Sequence, residues 1–397
     1  MPDTGIEILG GKLVQSVAVE KYDYIDALRG FAILGVVLVH TSQWVSPSAG
    51  IPALIAKNGA RGVQLFFLAS ALTLFLSIEK RREHESRSVI KFFIRRFFRI
   101  APLFYLAIIA FTLYSGMSER YWAPDGISWW HIALTATFLH GWHPETITSV
   151  VPGGWSIAVE MTFYLFVPYL FLKLKDVRST VIALLASLVF VRISSKLATI
   201  VLSSMYPESQ QYLVSGFTFL WFFSQLPIFL LGILTYHVIR AHPNQDKVLS
   251  AAFLCVSFFL AAAFLQASTF QTLLPQHFMY GVVFAFFALA LHFDPESMFV
   301  NRVTTLIGRL SFSIYIVHFM ILNLLKEVFD NGFPMMGTSG FALAYLLVLG
   351  LSMGLSSILY RAVEIPGINL GKRVIATLEQ STSAEAPLRG VSPTTSG

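Results

Sequence analysis

The chain is divided almost end to end into predominantly apolar runs, at about 24–44, 62–79, 100–116, 154–172, 179–203, 214–238, 248–266, 276–293, 306–326 and 339–361. An α-helix rises ~1.5 Å per residue, so ~20 such residues cross the ~30 Å of hydrocarbon in a bilayer. A chain with runs of that length, separated by short clusters of Lys and Arg, is one solvated by lipid. The expected fold class is all-α: a polytopic integral membrane protein of about ten transmembrane helices.

Composition agrees. Of 397 residues, 55% are hydrophobic and 13% charged, against roughly 25% charged in a soluble protein, and the mean hydropathy is +0.67. These values exclude a soluble fold. The 36 Phe residues suit lipid-facing and helix-packing surfaces. A lone cysteine, Cys255, excludes an intrachain disulfide framework and any Cys-rich metal site. The net charge of +6 is read as basic excess on the cytoplasmic side, not as a nucleic-acid surface.

Residues 1–23 hold no apolar core of a signal peptide, so the first helix is expected to direct insertion. The organisation expected is an N-terminal cytoplasmic segment over 1–20, a membrane domain over 21–366 and a disordered Ser/Thr/Pro-rich tail over 374–397.

Orientation follows from the basic clusters. Residues 80–99 carry Lys80, Arg81, Arg82, Arg87, Lys91, Arg95, Arg96 and Arg99 against Glu83 and Glu85, which predicts a cytoplasmic loop. Lys173, Lys175 and Arg178, then Arg240 and Lys247, then Arg302 and Arg309, and finally Arg361, Lys372 and Arg373 fall on the same side if the weak apolar segment 128–142 does not cross. Ten spans with both termini cytoplasmic is the consistent solution, with 128–142 interfacial or re-entrant on the outer side.

Ionisable residues inside spans default to functional hypotheses. Arg29 and His40 are eleven residues apart, ~1,100° of helical rotation, so both side chains point the same way ~16 Å apart along the axis. The plainer alternative is that Arg29 snorkels and pairs with Asp26 while His40 is interfacial. Ser156 and Glu160 share a face of their helix at i,i+4, and Glu160 is expected at a depth similar to His40. A carboxylate and an imidazole on different helices would then meet in one cavity; alternatively Glu160 pairs with Arg192 or Lys196. His318 lies near the middle of the ninth span, where a helix–helix hydrogen bond is the plainer role. His131, His140 and His143 match no strong metal-ligand spacing, so no metal site is expected. Arg95, Arg96 and Arg99 at the mouth of the third span are either phosphate-binding guanidinium forks or ordinary inside anchors.

Six segments in order resemble the acyltransferase 3 family of bacterial membrane acyltransferases: DALRGFAILGVVLVH, GVQLFFLASALTLF, FFIRRFFRIAP, GGWSIAVEMTFY, SFSIYIVHF and YRAVEIP. Together they run from residue 24 to 366. Two positions depart from the family pattern: Gln64 stands where many members have Asp, and Ala71 where many have Gly. The chain resembles the form without an added hydrolase-like domain.

The resemblance implies transfer of an acyl group, often acetyl from acetyl-CoA, to a hydroxyl of a cell-envelope carbohydrate such as lipopolysaccharide or exopolysaccharide. Acyl-CoA would be a co-substrate, with no permanently bound cofactor, and the location the bacterial cytoplasmic membrane. His40 is the natural general base. Glu160 would orient and stabilise its imidazole, and Arg29 would position the donor or offset developing charge. Arg95, Arg96 and Arg99 would bind the donor. Gln64, Ser70, Trp155, Ser156, Tyr164, Tyr315 and His318 are further cavity candidates. The rival reading is a secondary transporter using His40, Glu160 and Arg29 as a relay; it does not account for the ordered motifs.

Overall fold

The computed structural model describes residues 6–9, 12–15, 22–82, 85–266, 274–332 and 337–385. Apart from a short antiparallel pair, β1 (Ile6–Leu9) and β2 (Lys12–Gln15), the elements are helical. The first half comprises α1 (Asp23–Ser42), α2 (Ile51–Asn58), α3 (Gly62–Arg82), α4 (Ser88–Ser115), α5 (Trp129–Ala136), α6 (Trp155–Lys173), α7 (Val177–Ser203) and α8 (Gln211–Leu220). The second comprises α9 (Phe222–Ala241), α10 (Lys247–Gln266), α11 (Gln276–Phe293), α12 (Arg302–Arg309), α13 (Ser311–Leu324), α14 (Lys326–Gly332), α15 (Gly337–Leu359) and α16 (Ile365–Glu385).

Among the described residues, nine helical stretches are long and apolar enough to cross a membrane, and α12 with α13 makes a tenth when counted as one span broken by a 74° bend. The protein is therefore a polytopic helical membrane protein. The segment 128–142 does not cross: α5 has only 8 residues and ends near a 3-10 turn at His140–Trp142.

Helix α1 is the centre of the bundle, packed by α3, α12, α13 and α15. Small residues permit the close approach. A Cβ at Gly308 would sit 1.7 Å from the Asp26 carbonyl oxygen, and one at Gly30 would sit 2.3 Å from that of Thr304. Without a hydrophobic force between helices in lipid, such backbone proximity is what van der Waals packing has to work with. It also fixes α1, and hence Arg29, against α12.

Two regions differ from the sequence expectation. The basic stretch 80–99 is mostly helix: α3 continues to Arg82 and α4 begins at Ser88. Its aromatic residues recur among the arginines closely enough to give α4 an apolar flank, and Lys91 is buried in an ion pair with Glu379 of α16. That pair and the packing of Gly367 and Gly371 against Phe98 hold α16 on α4. Residues 374–385 are accordingly helical where a disordered tail was expected, and 386–397 lie outside the described residues.

Candidate active site

A cavity of about 730 Å³ opens between α1, α3, α4, α6 and α13. Its polar wall is Arg29, Ser70, Arg96, Arg99, Ser156, Glu160, Tyr164, Ser311 and Tyr315. Phe66, Phe67 and Phe312 supply apolar wall.

Glu160 is the anchored group. Ser70 Oγ donates to its Oε1 at 2.6 Å, and the Tyr164 hydroxyl donates to the same oxygen. Helical spacing explains the second contact, because Tyr164 lies one turn beyond Glu160 on α6. Around this carboxylate stand three guanidinium groups. Arg29 donates to Thr73 Oγ1 at 3.0 Å and lies 3.5 Å from Asp26; its charged surroundings also include Arg99 and Glu160. Arg96 lies over the rings of Phe92 and Tyr164, 5.9 and 5.8 Å from their centroids. A cavity wall with three guanidinium groups and one carboxylate favours an anionic guest or a developing oxyanion.

The three arginines expected to act together are divided. Arg95 is turned away and grips Glu85 through two bonds of 3.0 and 2.8 Å. Arg96 instead lines both the central cavity and a second one of about 600 Å³, whose other basic residues are Arg81, Arg82 and Arg95. Arg96 is thus the wall shared by a basic vestibule and the chamber that holds Glu160.

His40 does not share a cavity wall with Glu160. Its Nδ1 lies 3.1 Å from Gln43 Oε1, and its ring centroid is 4.4 Å from that of Phe319 and 5.4 Å from that of His318. Along α1 the packing partner changes from α3 beside Arg29 to α13 beside His40. A common face therefore does not give a common cavity, and Gln43 takes the place against the imidazole expected for Glu160. The link to the central cavity is Tyr315, which lines it and lies 5.8 Å from His318, ring to ring.

His318 is fully buried, with Nδ1 against the Ile314 carbonyl at 3.1 Å. The Ser156 and Tyr315 hydroxyls are 2.7 Å apart, and Tyr315 donates to the Gly153 carbonyl at 2.8 Å. Gly153 is required there: its φ is +74°, and a Cβ would stand 2.9 Å from Phe319 and 3.1 Å from the Tyr315 hydroxyl.

Of the remaining candidates, Gln64 faces away from the cavity and donates to Gln225 Oε1 at 3.0 Å. Trp155 packs edge-on to Phe67 at 5.8 Å and is not in the cavity wall. Arg192 and Lys196 are on the exposed side of α7 and are not the partners of Glu160. The histidines between α4 and α6 serve structure. The His140 ring is buried, with Nε2 donating to the Gly154 carbonyl at 3.0 Å, and His131 caps the start of α5. No metal-binding group of His, Cys, Asp and Glu occurs among the described residues.

Sequence reasoning missed Thr73, Gln43 and the buried pair Ser313–Glu364. Thr73 follows Ser70, and Gln43 follows His40, by three residues, the spacing that puts a polar neighbour on the same helix face.

Fold and cavity together define a multi-pass membrane protein with a charged chamber inside its helix bundle. The profile of the acyltransferase 3 family, an acyltransferase domain, matches residues 22–361, and the chain belongs to that family of membrane acyltransferases. It is 27% identical over 328 residues to ORF330, named as a candidate acetyltransferase, of Acidianus two-tailed virus, covering 80% of this chain and 88% of that one. It is 24% identical over 385 residues to the O-acetyltransferase OatA of Staphylococcus aureus (strain MRSA252), covering 90% of this chain and 59% of that one. A shorter match, 28% over 169 residues, joins 39% of this chain to 25% of the peptidoglycan O-acetyltransferase OatA of Listeria monocytogenes. The chain thus spans less than two thirds of the length of these OatA relatives.

Proposed function

We propose that this protein is an O-acyltransferase of a bacterial cytoplasmic membrane, moving an acyl group, in the first instance acetyl, from acyl-CoA to a hydroxyl of a cell-envelope carbohydrate. The observation that carries the reading is the Glu160 carboxylate, held by Ser70 and Tyr164 among Arg29, Arg96 and Arg99 in one intramembrane chamber. Support for a carbohydrate acceptor comes from the OatA relatives, one of which is named as a peptidoglycan O-acetyltransferase. Lipopolysaccharide and exopolysaccharide belong to the same acceptor class.

A thioester is an activated donor, so the residues have two tasks: removing a proton from the acceptor hydroxyl and stabilising the oxyanion. The hydroxyl oxygen bonds to the thioester carbonyl carbon, and its proton passes to His40, whose Nδ1 is held by Gln43. The carbon–sulfur bond then breaks, the ester is released, and the coenzyme A thiolate takes up the proton. Arg29, ~16 Å along α1 from His40, positions the donor rather than the reacting carbonyl, and Glu160 holds the arginine cluster in place. Arg96, shared by both cavities, and Arg99 hold phosphate groups of the donor, and the basic end of the bundle faces the cytoplasm. The test is ester-preserving structural analysis of envelope glycans from cells with the gene, without it, and with Glu160→Gln. Ester groups that depend on the wild-type gene are expected; an unchanged ester content in the deletion contradicts the reading.

A further inference from the structure

A second polar cluster lies away from the reaction chamber, where α3, α9 and α11 all begin. Arg61, immediately before α3, donates to Gln276 Oε1 at 2.9 Å at the first position of α11. Its guanidinium lies 5.8 Å from the ring centroid of Phe219, which is 42% exposed at the end of α8. His277 and Tyr280 are its titratable neighbours on α11. The His277 Nε2 donates to the Ser224 carbonyl of α9 at 2.9 Å.

The cluster is unbalanced in charge and in hydrogen bonding. No carboxylate pairs with Arg61 among the described residues. The connection 267–273 that leads into α11 carries no Asp or Glu. Buried polar atoms of the cluster without a partner are Arg61 Nε, His277 Nδ1 and the Tyr280 hydroxyl. His277 and Tyr280 are only 3% and 5% exposed. The starts of α9 and α11 have no side-chain cap, so their first amides add positive partial charge. Buried polar groups ordinarily find partners. A half-buried cation beside two uncapped helix starts is the arrangement that binds an anionic oxygen group.

We propose that Arg61, Tyr280 and the first turn of α11 form a binding site for a phosphodiester headgroup, reached from the bilayer past the exposed ring of Phe219. One guanidinium matches the single charge of a phosphodiester. Tyr280 supplies a further donor, and His277 Nδ1 supplies an acceptor for a headgroup hydroxyl. The site is at the end of α3 opposite Arg81 and Arg82, ~30 Å along that helix, so the donor vestibule and this site serve different ligands. The proposal does not depend on the acyl-transfer reading.

Gln64 provides a lever, because it follows Arg61 by three residues along one continuous helical stretch, Ile51–Arg82. Gln64→Glu would place a carboxylate where it can neutralise the guanidinium from within. The experiment is native mass spectrometry of the detergent-purified full chain titrated with phosphatidylglycerol, phosphatidylcholine or soluble glycerophosphoglycerol. The wild type is expected to retain phosphatidylglycerol over phosphatidylcholine, with glycerophosphoglycerol competing. Arg61→Gln should weaken retention roughly ten- to a hundred-fold, the range for losing a hydrogen bond to a charged group. Gln64→Glu should weaken it likewise, and Arg61→Lys should retain most of it. Equal retention of the two lipids, or undiminished phosphatidylglycerol binding in both Arg61→Gln and Gln64→Glu, overturns the proposal. So does failure of the soluble diester to compete, which would assign retention to the acyl chains. If Arg61→Gln does not fold, Gln64→Glu and Arg61→Lys still decide the matter.

Discussion

Replacing Glu160 by Gln keeps the shape of the side chain and removes its charge, which isolates the electrostatic role of the chamber. The carboxylate receives two hydrogen bonds on one oxygen, from Ser70 and Tyr164. Bonds to an ionised acceptor are roughly twice as strong as neutral ones, so each bond should weaken by ~1 kcal/mol. Arg29 and Arg96 also lose their shared counter-charge. The total should approach ~3–5 kcal/mol, the range for breaking a buried ion pair. Tyr164→Phe removes one donor while leaving the ring beneath Arg96, and should cost ~1.5–3 kcal/mol. If the chamber stabilises the transition state through this network, the same energies appear in turnover at ~1.4 kcal/mol per tenfold. Glu160→Gln should then lose at least about a hundred-fold in kcat, and Tyr164→Phe about ten-fold. The assay is donor turnover by purified protein, with the thermal midpoint measured in the same detergent so that turnover is compared below both midpoints. A Glu160→Gln variant that keeps most of its activity, or a Tyr164→Phe variant more damaged than Glu160→Gln, refutes the reasoning.

Three further outcomes follow from the same geometry. Arg96→Ala with Arg99→Ala should raise the donor KM at least roughly ten-fold, while Arg95→Ala, whose guanidinium is bound to Glu85, should leave it within about two-fold; equal effects would undo the division of the three arginines. Gly153→Ala should cost ~1–3 kcal/mol and displace Tyr315, seen as a lowered thermal midpoint; an unchanged midpoint would mean the left-handed backbone is not needed. Burial pushes the His140 imidazole down to about 4, whereas an unfolded one titrates near ~6.5. The unfolded state therefore binds the proton first, and stability is complete above ~6.5 and declines as pH falls toward 4. His140→Gln should flatten the thermal midpoint between pH 7 and 5, and an unchanged slope would assign the dependence to other groups.

The spans were legible because lipid imposes one rule on every backbone group, and long apolar runs are the only way to obey it. What the runs do not reveal is where a span breaks. The bend between α12 and α13 falls inside one continuous apolar reading. Helical phase put Ser156, Glu160 and Tyr164 on one side of their helix, and the family motifs added Ser70 and Tyr315; all five line the cavity, but phase describes a single helix and the cavity is a property of several. Arg29 and His40 share a face yet meet different neighbours, α3 and α13. The spacing of Arg95, Arg96 and Arg99 sets Arg99 near both of the others, and Glu85 from the α3–α4 connection decides which one leaves. Helix α16 extends past residue 374 because α4 offers it a partner, which composition alone does not encode.

The central claim, acyl transfer inside a membrane bundle, is tested most directly with purified protein in proteoliposomes containing a glycan acceptor and acetyl-CoA labelled in the acetyl group, with no ion or proton gradient across the membrane. The account predicts label on the acceptor as an alkali-labile ester, formed by the wild type and lost with His40→Ala and Glu160→Gln. Movement of unmodified substrate across the membrane, or activity that appears only when a gradient is imposed, would contradict it and favour a transporter.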